Sequence, residues 1–187
     1  MRTIVITGGA KGIGRCLVEY FASQGNAVYF IDMDADAVAT VTEKLCAKQM
    51  NVYGFTGDIA DEQVLQKFAA RVIEETPQGI HCLINNACLM KGGILSGCSY
   101  DDFLYVQRVG VAAPYLLSKL FMHHFAGVGS IVNLSSTRSA SETIACPVLL
   151  LMHHRFPLDT HPENIPLLLP TPTVLQPLQK LSLQTAF

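Results

Sequence analysis

The chain has 187 residues, 50% of them hydrophobic and 15% charged, with 13 Lys+Arg against 15 Asp+Glu and a formal net charge of −2. That balance lacks the basic footprint of a broad nucleic-acid binder, and no run approaches the roughly 18 apolar residues of a membrane span, so neither nucleic acid nor membrane is an expected partner. The N-terminus enters a strand pattern without signal-peptide architecture, and the six Cys include no CxxC pair, so a cytoplasmic setting with reduced, mostly buried thiols is expected.

Residues Thr3 to Thr7 are a short β-branched run and predict a buried strand. A glycine-rich turn follows from Gly8 to Gly14, after which Ile13, Leu17, Val18 and Phe21 recur at helical spacing. A second strand is predicted over Ala27 to Ile31, ending at Asp32, and a helix over Ala37 to Lys48 with Val38, Val41 and Leu45 on one face. The third strand is Val52 to Phe55. The third helix is Asp61 to Glu75, with Val64, Phe68 and Val72 as its stripe, acidic residues at its positive end and Pro77 beyond it. Cys82 to Asn85 is a fourth strand, Tyr100 to Phe125 one long or two abutting helices, and Ser130 to Leu134 a fifth strand. Strands alternating with helices of this length predict an α/β fold, a doubly wound parallel sheet with helices on both faces. The expected strand order is 3-2-1-4-5, with a ligand crevice where the order reverses.

Composition changes near Glu142 to Pro147. All 14 Gly lie at or before Gly129, while seven of the nine Pro and eleven Leu follow Thr143. Repeated Pro forbids a long helix, and no alternation predicts a strand. The expected organisation is therefore an α/β domain over 1–142, truncated after its fifth strand, and an irregular Pro/Leu-rich tail over 143–187. That tail is read as a replaced C-terminus.

The turn Thr7-Gly8-Gly9-Ala10-Lys11-Gly12-Ile13-Gly14 is the strongest chemical signal. Glycines permit positive φ and close backbone approach, and the start of the following helix offers free N–H groups and a positive dipole end to an anion. The candidate phosphate-cradling residues are Gly8, Lys11, Gly12, Ile13 and Gly14. Asp32 closes the second strand 18 residues after Gly14. A carboxylate there accepts from both ribose hydroxyls and repels a 2′-phosphate, which favours NAD over NADP. Lys11 pulls the other way, because a cation in the turn could reach a 2′-phosphate. The His123-His124 and His153-His154 pairs are adjacent and diverge on a helix, so no metal site is expected.

These residues together resemble the short-chain dehydrogenase/reductase family. The Thr7-Gly8-x-x-x-Gly12-x-Gly14 turn matches its cofactor motif, Asp58-Ile59 its adenine-contacting pair, and Asn85-Asn86-Ala87-Cys88 its N-N-A-G segment with Cys for Gly. Residues Ser130 to Ser136 match its fifth strand, whose final Ser is catalytic. The resemblance implies cofactor contacts from Asp58, Ile59, Asn85 and Ala87, and a catalytic role for Ser136. It also implies a Rossmann-like NAD(P)-binding domain over 1–142, hydride transfer between an alcohol and a ketone, and homo-oligomeric assembly. Each position has a plainer reading beside it: Asp58 as a helix cap, the Asn pair as turn residues, the Ser pair as polar strand-end residues.

The match fails where proton transfer belongs. The family pattern places a Tyr about a dozen residues after the Ser, and a Lys four positions later that lowers the phenol's pKa. Here no Tyr follows Tyr115, the region near Val148 is apolar, and Gly110 stands where a supporting Asn is expected. Two expectations follow: an impaired oxidoreductase, or a non-catalytic dinucleotide-binding protein.

Overall fold

The β-branched run Thr3–Thr7 forms strand β1. It is followed by α1 (Gly12–Ser23), β2 (Ala27–Asp32), α2 (Ala35–Cys46), β3 (Val52–Thr56), α3 (Glu62–Glu75) and β4 (Ile80–Asn85). Next come α4 (Tyr100–Gln107), a π-helical turn (Arg108–Ala112), α5 (Ala113–Phe121), β5 (Phe125–Asn133) and β6 (His154–Phe156). The computed structural model describes residues 1–89 and 97–134, together with the backbone of 154–156.

The sheet order is β3-β2-β1-β4-β5-β6. The first five strands are parallel, in the order expected, and the chain reverses direction across the sheet between β1 and β4. The sixth strand departs from the sequence reading. Residues 154–156 lie antiparallel on β5, pairing Phe156 with Gly129, Arg155 with Ser130 and His154 with Ile131. A three-residue strand is too short to show an alternation, and the unpaired edge of β5 selects it. The rest of the 143–187 tail lies outside the described residues.

Alternation along the buried strands divides the core. Val5, Tyr29, Ile31, Leu83 and Ile131 face α3 and α5, where they meet Phe68, Val72, Leu117 and Phe121. Ile4, Ile6, Val28, Phe30 and Ile84 face the other way, onto Leu17, Val18, Val38 and Val41. Strands buried on both faces read as continuous apolar runs, which is why β1 and β2 stand out in the sequence.

Helix boundaries moved where tertiary hydrogen bonding decided them. Asp61, not Asp58, caps α3, accepting from the Gln63 and Val64 amides. The 100–125 stretch is interrupted by the π-helical turn Arg108–Ala112, just before Pro114, which has no N–H for the preceding turn; there the Ala113 amide bonds to the Arg108 carbonyl. Phe125 belongs to β5, since its i+4 spacing from Phe121 imitates a helix but the chain turns after Met122. Between paired positions β5 spans Phe125 to Ser130 while β4 spans only Ile80 to Cys82, so β5 bulges there, with Gly127 at φ +63°.

The cysteines also differ from expectation. Cys16, Cys46 and Cys88 are exposed, Cys82 and Cys98 half-buried. Positions 16 and 46 fall on the outer faces of α1 and α2, beside the buried Leu17 and Leu45. No helix among the described residues is long and apolar enough to cross a membrane.

Candidate functional site

A crevice of about 350 Å³ opens where the strand order reverses. One wall is the turn from β1 into α1. Gly8 (φ +67°) anchors it by donating to the Ile31 carbonyl at 2.8 Å. Gly14 starts the helix so close to the turn that a Cβ there would lie 1.9 Å from the Gly8 carbonyl oxygen. Lys11 occupies the N-cap of α1 without a side-chain capping bond, whereas α2, α3 and α4 are capped by Asp34, Asp61 and Ser99. The amides of the first turn of α1 thus have no side-chain acceptor from their own cap residue, as an anion site requires.

The end of β4 is braced to this turn. Thr7 is buried, and its Oγ1 accepts from the Asn86 and Ala87 amides, both at 3.1 Å. Asn86 Nδ2 donates to the Thr7 and Gly8 carbonyls at 3.0 Å. Asn86 and Ala87 line the crevice. Asn85 is buried and donates to Asn133 Oδ1 at 2.8 Å, tying β4 to β5 rather than lining the opening. Ile13 and Ile59 contribute apolar wall, Ile13 half exposed and Ile59 buried.

Two carboxylates enter from the ends of β2 and β3. Asp32 Oδ2 accepts from the Ala10 amide at 3.0 Å and Oδ1 from the Asp34 amide at 3.2 Å. A carboxylate has about four acceptor positions, so the Asp32 group is oriented with capacity left for a vicinal diol. Asp58 Oδ1 accepts from the Ala60 amide at 2.8 Å, and Oδ2 from the Tyr105 hydroxyl at 2.5 Å. Donation to Asp58, aided by burial and by the Asp58 charge, pushes the Tyr105 phenol up to about 12. Lys11 forms an ion pair with Asp34, which raises the Lys11 ammonium above its ordinary value and lowers the Asp34 carboxyl below its own.

The family model for short chain dehydrogenases matches residues 2–148. The chain belongs to that family. An uncharacterized oxidoreductase of Thermotoga maritima is 29% identical over 140 residues, covering 74% of this chain and 54% of that protein. L-fucose dehydrogenase of Mus musculus is 28% identical over 137 residues, covering 72% and 48% respectively. Among solved structures, an apo SCOR enzyme from Clostridium thermocellum is 37% identical with a TM-score of 0.69, covering 76% of this chain and 57% of its own. A short chain dehydrogenase from Burkholderia cenocepacia in complex with NADP is 26% identical with a TM-score of 0.70, covering 75% and 57%. This chain spans about half the length of the curated relatives it matches.

The short chain dehydrogenase match runs six residues past Glu142, into the compositional change. Gly8, Lys11, Gly12, Ile13, Gly14, Asp32, Asp58, Ile59 and Ala87 all line one crevice; Ser136 lies outside the described residues. The chain does contain one Tyr-x-x-x-Lys spacing, Tyr115 to Lys119. It lies on α5, Tyr115 is 68% exposed, and neither residue lines the crevice. Gly110, at the position of the expected Asn, sits in the π-helical turn, and among the described residues nothing beyond its chain neighbours and its own helix backbone comes within 4 Å of where a Cβ would be. Sequence reasoning missed Asn86 as the brace and Tyr105 and Asp34 as partners of site residues. The second Asn of the Asn85-Asn86 pair was a signal for the first; Tyr105 lies 47 residues from Asp58 with no motif linking them.

Proposed function

We propose that the crevice binds a nicotinamide dinucleotide, NAD in preference to NADP, and that the chain carries the cofactor half of an oxidoreductase acting on an alcohol/ketone pair. The observation that carries this reading is the placement of Asp32, held by two backbone amides beside an uncapped helix start. The residues fit the group: Gly8 and Gly14 let the turn close tightly against Asn86 and the start of α1, Gly12 opens onto the crevice where a pyrophosphate would lie, the first α1 amides are free of a side-chain cap, and Asp32 and Asp58 supply acceptors for the adenosine half. The dinucleotide, when bound, supplies the hydride donor or acceptor. This chain's residues bind and orient it; Ser136 is assigned to polarise a substrate carbonyl by hydrogen bonding.

A serine hydroxyl does not supply a proton at a useful pKa, and no Tyr-x-x-x-Lys follows Ser136. General acid catalysis contributes about 10²–10⁴-fold, so turnover by this chain alone is expected to be negligible. The same sequence feature supports the second reading, a non-catalytic dinucleotide-binding protein. Titration with NADH followed by fluorescence, beside a ketone panel followed at the nicotinamide absorbance, tests both parts. NADH binding without turnover is expected. Asp32→Ala should weaken NAD by about 1.5–3 kcal/mol and NADP less. An NADP preference in the parent chain would reverse the cofactor assignment, and turnover near 1 s⁻¹, at the low end of ordinary enzymes, that disappears in Ser136→Ala would overturn the impaired reading.

A further inference from the structure

The ion pair between Lys11 and Asp34 bears on which dinucleotide the crevice accepts; the inference rests on the dinucleotide reading above. Lys11 is the only Lys or Arg lining the crevice among the described residues. Its side chain is 67% exposed, so nothing in the packing prevents it from meeting an anion near Asp32. Its ammonium instead closes on Asp34 Oδ2. Asp34 is a well-seated acceptor: its Oδ1 caps α2 by accepting from the Ala37 amide at 2.9 Å, and its own amide donates to Asp32 Oδ1 at 3.2 Å. The β2–α2 junction therefore presents two carboxylates with separate tasks.

We propose that Asp34 is a specificity-determining residue for the dinucleotide, acting through Lys11: it engages the crevice's one cation so that this cation is not offered to a 2′-phosphate. Asp32 discriminates directly, by repelling a phosphate and accepting from the ribose hydroxyls. Asp34 discriminates at one remove, and NADP must break the Lys11–Asp34 pair before Lys11 can help it. Exposed pairs of this kind are weak, so the effect is a modest factor added to that of Asp32.

The test uses the full chain and titration with NADH and NADPH. Asn serves as an N-cap about as well as Asp, so Asp34→Asn releases Lys11 while α2 keeps its cap. The expected result is an NADPH Kd lowered about three- to fivefold, with the NADH Kd nearly unchanged. Adding Lys11→Met to Asp34→Asn should erase that gain, and Lys11→Met alone should leave the NADPH-to-NADH ratio close to the parent's, because Lys11 is already engaged there. An unchanged ratio in Asp34→Asn overturns the proposal. A gain that survives Lys11→Met also overturns it, since Asp34 would then act by its own charge. If neither dinucleotide binds the parent, the reading of the crevice falls and this inference with it; if NADH binds and the ratio does not move, only this inference falls.

Discussion

Gly14 shows how one hydrogen in place of a methyl group permits the site. A Cβ there would meet the Gly8 carbonyl oxygen at 1.9 Å and Asn86 Nδ2 at 2.5 Å, and the first of these is backbone that cannot rotate aside. We expect Gly14→Ala to cost about 1–3 kcal/mol of stability by overpacking and to abolish NADH binding, measured by urea unfolding and fluorescence titration. His81 carries a second prediction at this scale. Its Nδ1 accepts from the Thr3 amide at 3.1 Å, a role open only to the unprotonated nitrogen. Burial, then the charges of Arg2 and the N-terminal amine, hold its pKa below the ordinary 6.5. The unfolded chain therefore takes up this proton first as pH falls, so the contribution of His81 is present above about pH 6.5 and is lost as pH drops from there through the lowered folded value. Urea midpoints between pH 7.5 and about 5 should fall for the parent, and less steeply for His81→Gln.

Elements reach the crevice from opposite sides of the reversal in strand order. Tyr105, near the end of α4, fixes the carboxylate of Asp58, which follows β3. Tyr105→Phe should leave Asp58 with the Ala60 amide as its remaining anchor and weaken NADH by about 0.5–1.5 kcal/mol, roughly two- to tenfold in Kd. The fold should stay intact by circular dichroism; an unchanged Kd would mean that the Ala60 amide alone orients Asp58. The π-helical turn that follows keeps Val106, Val109, Ala113, Leu117 and Phe121 on one buried face despite Pro114. That turn is a local answer to a missing N–H and leaves the packing ridge unbroken.

At the scale of the molecule, one sheet serves two cores. Phe30 is fully buried on the α1/α2 side and Phe121 on the α5 side. Removing either ring should cost about 3–5 kcal/mol. Because β1, β2 and β4 contribute side chains to both faces, Phe30→Ala and Phe121→Ala should each shift a single shared urea transition; two separated transitions would show that the faces unfold independently. The chain has no Trp and six Tyr, so tyrosine fluorescence and far-ultraviolet circular dichroism are the probes to compare.

The amino-acid order by itself determined the alternation of strands and helices and the glycine-rich turn. Each of these depends on residues close in sequence: apolar runs for strands buried on both faces, helical spacing for the amphipathic stripes, and glycine where the backbone must approach an anion. Tertiary structure alone decided what depends on distant partners. His124 and Phe125 left the helical pattern because the Ile80 amide bonds to the His124 carbonyl and β4 offers an edge to pair. Residues 154–156 became a strand because β5 had an unpaired edge. Asn86, Tyr105 and Asp34 took their roles from Thr7, Asp58 and Lys11, between 23 and 79 residues away along the chain. Local physics sets the propensity of a segment; hydrogen bonds and ion pairs across the crevice are made only once the sheet brings the strand ends together.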